Sequence, residues 1–304
     1  MCNLSIIIVS WNTKTYLLKC LGSIQRYEGC VGSEVIVVDN ASSDGSVDAV
    51  KQAFSNVRII ENRTNVGFAQ ANNQAIRQSA GRYVALVNSD IEFLDGCLPR
   101  MLAYMEAHPR VGVLGPRILN SDRTLQASCY RFPKLWRALG EAFALHRLFP
   151  SLVYCSHDRT GRVEALNGCF LMVRREALEQ VGELDERFFM YAEDLDWCKR
   201  FVDAGWETAY LKEAEAVHYG GQSSANTPVR FYVEMQKANL AYYLKHRGRL
   251  VAGIYAAIVF AHQLLRVARG SVLVLLHPAS RAENTFKVQR SVACLRWLLR
   301  ASEA

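Results

Sequence analysis

The first part of the chain alternates two kinds of hydrophobic pattern. Short, β-branched apolar runs at Leu4–Val9, Glu34–Val38, Val57–Ile60 and Tyr83–Val87 predict strands. Between them, near Tyr16–Ile24, Ser46–Phe54 and Phe68–Gln78, the pattern turns helical. This alternation predicts an α/β fold, a mostly parallel central sheet flanked by helices. Further along, Glu193–Ala204 reads as a helix with Leu195, Cys198 and Phe201 or Val202 as its apolar stripe, stopped by Gly205. Near the end, Leu250–Ala261 is uncharged and largely apolar. His262, Gln263, Arg266 and Arg269 interrupt it before Ser271–Leu276 resumes. Spanning a bilayer takes about 20 apolar residues, so this run is too short and too soon charged. With His262, Arg266 and Arg269 on one face, it predicts a helix lying in a membrane interface. The alternative is packing against the preceding domain or a second subunit.

Each predicted strand ends in polar residues. The first runs into Ser10-Trp11-Asn12 and the second into Asp39-Asn40-Ala41-Ser42-Ser43-Asp44-Gly45. Asn65-Val66-Gly67-Phe68 lies beyond the third, and Asn88-Ser89-Asp90 beyond the fourth. Taken singly these are turn and cap residues, and Ser42–Ser46 is expected to cap the next helix. Asp90 on the same terms would cap a helix near Gly96–His108. Taken together, four polar clusters at the carboxyl ends of parallel strands mark one shared ligand crevice. No G-x-G-x-x-G follows the first strand, and no G-x-x-x-x-G-K-[ST] occurs. A nucleotide here would lack a glycine cradle, so a divalent cation on carboxylates is the candidate for neutralising its phosphates.

Composition narrows the class. At 304 residues, 50% hydrophobic and 21% charged, the chain can bury one large core and carry an appendage. Nine scattered cysteines without a C-x-x-C pair read as reduced thiols, not as a disulfide frame or zinc site. The opening MCNLSIIIVSWNTK has no basic leader and reads as a first strand, so a cytoplasmic protein is expected. The net charge of +7 is concentrated: Lys245–Ala304 holds ten Lys or Arg against Glu283 and Glu303. A basic excess on a hydrophobic tail points to an anionic membrane surface and away from nucleic acid.

One stretch, MYAEDLDW (Met190–Trp197), places Glu193 and Asp194 among aromatic residues at the start of the predicted helix. Acidic residues favour helix N-termini, and Asp196 can pair with Arg200 one turn on. That accounts for Asp196. It does not explain two carboxylates set beside Phe188, Phe189 and Tyr191, where charge is costly unless used.

The motifs IIIVSWN, VIVVDNASSDGS, NVGFAQANN, ALVNSDIEF, the long segment from Asn167 to Trp206, and EAVHYGGQSS resemble those of the family 2 glycosyltransferases. These are inverting enzymes with the GT-A fold, and the likeness is greatest to the rhamnosyltransferase-type branch of bacterial cell-surface polysaccharide synthesis. The resemblance runs from Leu4 to about Lys245. It implies a GT-A domain over 1–245, with a nucleotide-sugar half (1–118) and an acceptor and catalytic half (119–245). A basic, amphipathic helical tail over 246–304 completes the chain.

It also implies roles. Asp39 would accept from the pyrimidine N3–H of a UDP- or dTDP-sugar, with Ser10, Asn12, Asn65, Gly67 and Asn88 lining the same donor pocket. Asn72-Asn73 stands where many relatives have Arg-Asn. Asp90, last residue of a D-x-D motif whose first position is Asn88 here, would ligate Mg2+ or Mn2+ together with His218. Asp194 would be the base that takes the acceptor hydroxyl's proton, supported by Glu193, which would also contact the acceptor. Trp136, in the aromatic, basic stretch Ser128–Pro150, would bind acceptor. The expected activity is transfer of a sugar, rhamnose in that branch, to a glycan or lipid-linked acceptor at the inner face of the bacterial cytoplasmic membrane. Two alternatives stand beside it. A sugar nucleotidyltransferase would need a glycine-rich basic loop where this chain has SWNTKTYLLK. A non-catalytic nucleotide-sugar-binding scaffold would have no use for Asp90, Asp194 and His218 together.

Overall fold

The computed structural model describes residues 3–27, 32–142, 155–221 and 227–301. The chain divides into two compact units. One comprises Met1–Phe132, Val153–Phe189 and Glu193–Ser223, and the other Pro133–Leu152, Met190–Ala192 and Ser224–Ala304.

The first unit begins as the pattern predicts: β1 (Leu4–Ser10), α1 (Lys14–Tyr27), β2 (Ser33–Asp39), α2 (Ser46–Ala53), β3 (Arg58–Glu61), α3 (Phe68–Ile76) and β4 (Tyr83–Asn88). β1 reads as a continuous apolar run because both its faces are covered. Ile6 and Ile8 join the layer containing Leu17, Cys20, Leu21 and Ile24 of α1. Ile7 joins the opposite layer, which includes Ala69, Ala71 and Ala75 of α3. Each isoleucine is fully buried, worth about 1.5–3 kcal/mol apiece relative to exposure. The spacing of the α1 residues is the i, i+3, i+4, i+7 stripe of a helix lying on a sheet.

Beyond β4 come β5 (Ile91–Phe93), α4 (Cys97–Ala107), β6 (Val111–Leu119), β7 (Cys129–Tyr130), β8 (Gly161–Arg162), β9 (Ala165–Leu166) and β10 (Phe170–Arg174). α6 (Arg175–Val181), α7 (Glu193–Asp203) and β11 (Glu207–His218) complete the unit. The main sheet runs β3-β2-β1-β4-β10-β6-β11-β5, with β8 beside β11. β3, β2, β1 and β4 are mutually parallel. β10 is antiparallel to both β4 and β6, but β6 and β11 are parallel to each other and point the same way as β4, so the sheet is mixed and mostly parallel, as expected. The Ser42–Ser46 turn does not cap α2 with a hydroxyl. Gly45 (φ 74°) holds the cap position, and Asp44 Oδ1 accepts the Ser46 N–H at 3.1 Å. α4 likewise starts at Gly96 without a side-chain cap, which leaves Asp90 free of that duty.

The second unit contains α5 (Leu135–Ala142), α8 (Pro228–Leu276), a 3-10 turn (Pro278–Ser280) and α9 (Arg281–Ala301). α8 is interrupted at Gly248 (φ 81°, ψ 171°), a conformation glycine adopts without steric cost. Its second part runs antiparallel to α9: Gly270 lies against Val288, while Tyr255 and Val259 share a core with Cys294 and Leu298. The interruption expected at His262–Arg269 does not end the helix. Gln263 is buried and Arg266 bonds Tyr232, so these polar groups turn inward. The helix therefore contains a window long and apolar enough to cross a membrane by length and composition, longer than the run the sequence suggested. Among the described residues, the cysteines are free. Cys2 and Cys30 lie outside them.

Candidate active site

Strand register brings the first, second and fourth clusters together. Ser10 pairs with Asp39 across β1 and β2, and Val9 with Asn88 across β1 and β4, so the polar residues stand side by side at one end of the sheet. Loops from separate strands then lace across. The Asn12 N–H donates to Ser42 Oγ at 2.9 Å, and Asn12 Oδ1 accepts the Ser43 N–H at 2.7 Å. Asn12 sits at φ 53° to do so. Ser10 is fully buried, with its hydroxyl turned to Thr13 at 3.1 Å, and Thr13 in turn meets Ser89 at 2.8 Å. This hydroxyl chain ties the end of β1 to the turn after β4. Asp39 Oδ2 accepts the Ser42 N–H at 2.9 Å. Its buried Oδ1 has no partner among the described residues. An acceptor left so is costly and suits a ligand N–H.

The third cluster abuts the segment leading to the acidic motif. Asn65 Oδ1 accepts the Gly67 N–H at 3.0 Å, and the Phe68 N–H donates to Phe189 O at 2.7 Å. Gly67 lies at φ 89°, and a Cβ there would come within 2.5 Å of Phe189 O, so only glycine fits. Asn73 is buried and clamps Leu184, donating to its carbonyl at 2.8 Å and accepting its N–H at 3.1 Å. Asn72 is buried too, bonded to Phe68 O.

Asp90, in the turn between β4 and β5, faces His218 at the end of β11. Asp90 Oδ1 and His218 Nε2 are 3.2 Å apart. The imidazole's other nitrogen, Nδ1, lies 2.7 Å from Gln126 Oε1. Gln126 donates its amide to Asn120 Oδ1, and Asn120 donates to Thr124 and Leu125, so the chain of donors runs one way. It makes Nδ1 the N–H donor and leaves the Nε2 lone pair facing a carboxylate oxygen. Two electron-rich atoms in that arrangement need a proton or a cation between them. Their separation matches two adjacent ligands of an octahedral ion, about 3 Å for metal–oxygen bonds near 2.1 Å. No third His, Cys, Asp or Glu joins them among the described residues. That suits an ion that keeps water and substrate phosphate in its shell.

Asp194 reaches the same end of the sheet. Its Oδ2 accepts the Gly168 N–H at 2.7 Å, and the adjacent Cys169 carbonyl accepts the Asn88 N–H at 2.9 Å. Oδ1 accepts the Leu195 N–H at 2.7 Å. Gly168 is tight against it: a Cβ there would lie 3.1 Å from Asp194 Cβ. The Cys169 thiol is pushed up by burial and then by the charges of Asp90 and Asp194, which both act on it. Glu193 is buried, and its Oε2 has no partner among the described residues. Burial, and then the Asp194 charge beside it, push the Glu193 carboxyl well above the usual range. Burial raises Asp194 as well, but the Gly168 and Leu195 N–H groups work against it. The two neighbouring carboxyls sit in unequal settings: Glu193 is raised by burial and by the Asp194 charge, while backbone N–H groups favour the anion of Asp194. Asp196 is fully buried in a 2.9 Å pair with Arg200, as its spacing suggested.

Gln126, Gly168, Thr13 and Ser89 were not assigned roles from sequence. Gly168 lies within a motif of the resemblance, but nothing in LQASCY singles out Gln126. Trp136 lies on α5 in the second unit, half exposed, with Arg137 over its ring at 4.9 Å. Residues 143–150 of the expected acceptor stretch, and Gln222–Ser224 of the motif containing His218, lie outside the described residues.

Comparison with known proteins adds a separate line. The family pattern described as "Glycosyl transferase family 2" matches residues 5–182, more than half of the chain. An N-acetylglucosaminyl-diphospho-decaprenol L-rhamnosyltransferase of Mycobacterium tuberculosis is 32% identical over 233 residues, covering 70% of this chain and 76% of its own. A low-salt glycan biosynthesis hexosyltransferase of Haloferax volcanii is 25% identical over 284 residues, 90% of this chain and 82% of its own. Among solved structures, a mannosyltransferase from Pyrobaculum calidifontis in complex with GDP-Man and Mn2+ matches with a TM-score of 0.57 at 17% identity, covering 98% of this chain and 87% of that one. At that identity the likeness is one of fold.

Proposed function

We propose, from the premise that the chain belongs to the family 2 glycosyltransferases, that it is a metal-dependent inverting enzyme acting on a lipid-linked acceptor. That it is a glycosyltransferase with the GT-A fold, with a role in glycan synthesis, rests on the family and its relatives. The finer reading takes a UDP- or dTDP-sugar as donor, with rhamnose first among the sugars to test because the Mycobacterium relative is named for it. That relative's name also carries a diphospho-decaprenol acceptor. The observation that carries the mechanism is Asp194, held by two backbone N–H groups and acting, with Asp90, on the same Cys169 thiol.

Inversion needs a single base. Asp194 takes the proton of the acceptor hydroxyl as its oxygen bonds to the anomeric carbon and the bond to the nucleoside diphosphate breaks. No glycosyl-enzyme forms, so a second carboxylate nucleophile is not required. Glu193 would donate a hydrogen bond to acceptor oxygens in its protonated form, which burial favours. Asp39 Oδ1 accepts the pyrimidine N3–H, while the interlocked Asn12, Ser42 and Ser43 loop keeps that carboxylate in place. Asp90 and His218 would hold Mg2+ or Mn2+, which when bound offsets negative charge on the leaving diphosphate.

The second unit supports attachment to the inner face of the cytoplasmic membrane. It contains fifteen Lys or Arg against four Glu, while the first contains 21 against 25 Asp or Glu. Eleven of the twelve exposed large hydrophobics among the described residues also belong to it. Apolar and basic surface together bind anionic lipid. An alkaline carbonate wash should release the chain if it is peripheral and leave it in place if α8 spans. The activity itself is tested by a panel of UDP- and dTDP-sugars, with and without Mn2+, scored for nucleoside diphosphate release. Absence of release from every donor, with acceptor supplied, would favour a binding scaffold.

A further inference from the structure

We infer that the α8–α9 hairpin contains a binding site for the phosphate of a lipid, built from Arg266, Arg290 and Tyr232. These side chains stand in an arrangement that is unfavourable without a ligand. The Arg290 guanidinium lies over the Tyr232 ring at 4.7 Å and that of Arg266 over the same ring at 5.8 Å. No carboxylate among the described residues pairs with either, and the four glutamates of this unit (Glu141, Glu234, Glu283, Glu303) are sparse against its fifteen cations. Glu234 and Glu283 are committed to Lys237 and Lys287. Burial, and then the nearby Arg266 charge, push the Arg290 guanidinium down from its usual value. One aromatic face attracts a cation, but it does not offset two arginines repelling each other in a partly buried place.

The surrounding polar atoms complete the pattern. Arg290 Nε is buried and lacks a partner among the described residues, as does Ser291 Oγ. The Tyr232 hydroxyl receives Gln263 Nε2 at 2.7 Å and Arg266 Nη1 at 3.3 Å, which leaves its own proton to give. Two guanidinium groups, one with its Nε–H buried, and a phenol with a proton to give outnumber the one spare acceptor beside them, Gln263 Oε1, and form a site for a multiply charged oxyanion. Planar arginine forks match phosphate oxygens in particular. The setting says which phosphate. Leu264, Leu265, Val272, Leu275 and Leu276 of the same helix are exposed. An anion recognised beside such a surface is attached to a lipid.

Two lipids have that chemistry, a headgroup phosphate and a lipid-linked diphosphate, and one experiment separates them. The inference rests on the proposed membrane attachment but not on the catalytic assignments. Full-length protein in EDTA is floated with phosphatidylcholine vesicles carrying either phosphatidylglycerol or farnesyl diphosphate. Arg266→Gln/Arg290→Gln is compared with Arg269→Gln/Arg300→Gln, which removes equal charge elsewhere on the same two helices. The first pair should lose tenfold or more in partition and the second pair much less. The arm with the larger pair-dependent loss identifies headgroup or lipid-linked diphosphate. Thermal melts guard against misfolding: without lipid the Arg266→Gln/Arg290→Gln variant should melt no lower than the native chain, since repulsion is relieved. A lower melt would make the arginines structural and overturn the site. Arg266→Lys/Arg290→Lys keeps the charge without the fork and should fall between the two. Equal losses in both double variants in both arms would overturn the site while leaving membrane attachment standing. No flotation of the native chain in either arm would remove both. A pair-dependent melting rise with inorganic pyrophosphate, unmatched on vesicles, would place the anion in solution and overturn the lipid assignment.

Discussion

Asp194→Asn changes one atom and separates the chemistry of the site from its architecture. The native carboxylate uses both oxygens, Oδ2 on the Gly168 N–H and Oδ1 on the Leu195 N–H, each at 2.7 Å. An amide has a single acceptor oxygen, so its NH2 must turn towards one of these two donors. One backbone N–H then loses its acceptor, at a cost of about 1–3 kcal/mol. Against that, the amide no longer buries a charge, and burial already pushes the Asp194 carboxyl up. The two effects oppose, so the melting temperature should move little. Catalysis has no such offset. Losing a general base costs about a hundredfold to ten-thousandfold in rate, or about 2.7–5.4 kcal/mol in barrier. On the proposed reading, donor affinity rests on Asp39 and the loops laced to it, which the substitution does not touch. The assay is steady-state nucleoside diphosphate release with acceptor present, beside calorimetric titration of the nucleotide. A large fall in kcat with unchanged nucleotide affinity is expected. Native turnover in Asp194→Asn, with intact binding, would refute its role as base, and the proposed mechanism with it.

Two further predictions address its neighbours. Gln126→Leu removes the acceptor that sets the His218 tautomer; Mn2+ affinity, read by direct titration without substrate, should fall about 10- to 100-fold, and an unchanged affinity would mean that Gln126 is only packing. Glu193→Gln should change stability in a pH-dependent way. The folded state raises the Glu193 carboxyl above its ordinary 4.5, so it binds the proton more tightly than the unfolded chain does. The stability this contributes is complete below that ordinary value and is lost as pH rises towards the raised folded-state value. Melting temperatures measured from acid to neutral pH should therefore fall for the native chain relative to Glu193→Gln; a constant difference would show that Glu193 ionises normally.

Much of the first unit was legible in the chain, and so was the gathering of polar residues at one end of its sheet. β-branched runs buried on both faces need few other cues, because any continuous apolar run of that length must be covered on both sides. Polar residues after each run pointed to the strand ends, and register put Ser10, Asp39 and Asn88 in a row. The Asp196–Arg200 pair was legible too, being one helical turn apart. The antiparallel placement of β10 was not, since a short apolar run carries no record of the direction of its neighbour.

Local pattern reports which face of a segment is buried; tertiary structure decides which distant group then meets it. By itself the sequence determined the α/β alternation, the polar strand ends and the acidic start of α7. It did not determine that Asp194 would find the N–H of Gly168, 26 residues away, or that His218 would find Gln126, 92 residues away. Nor did it show Arg266 turned inward towards Tyr232, because a charged residue interrupting an apolar run looks the same from either face. Hydrogen bonds act over about 3 Å and in fixed directions, so they depend on how separate segments come to rest against each other, and no periodicity along the chain encodes that.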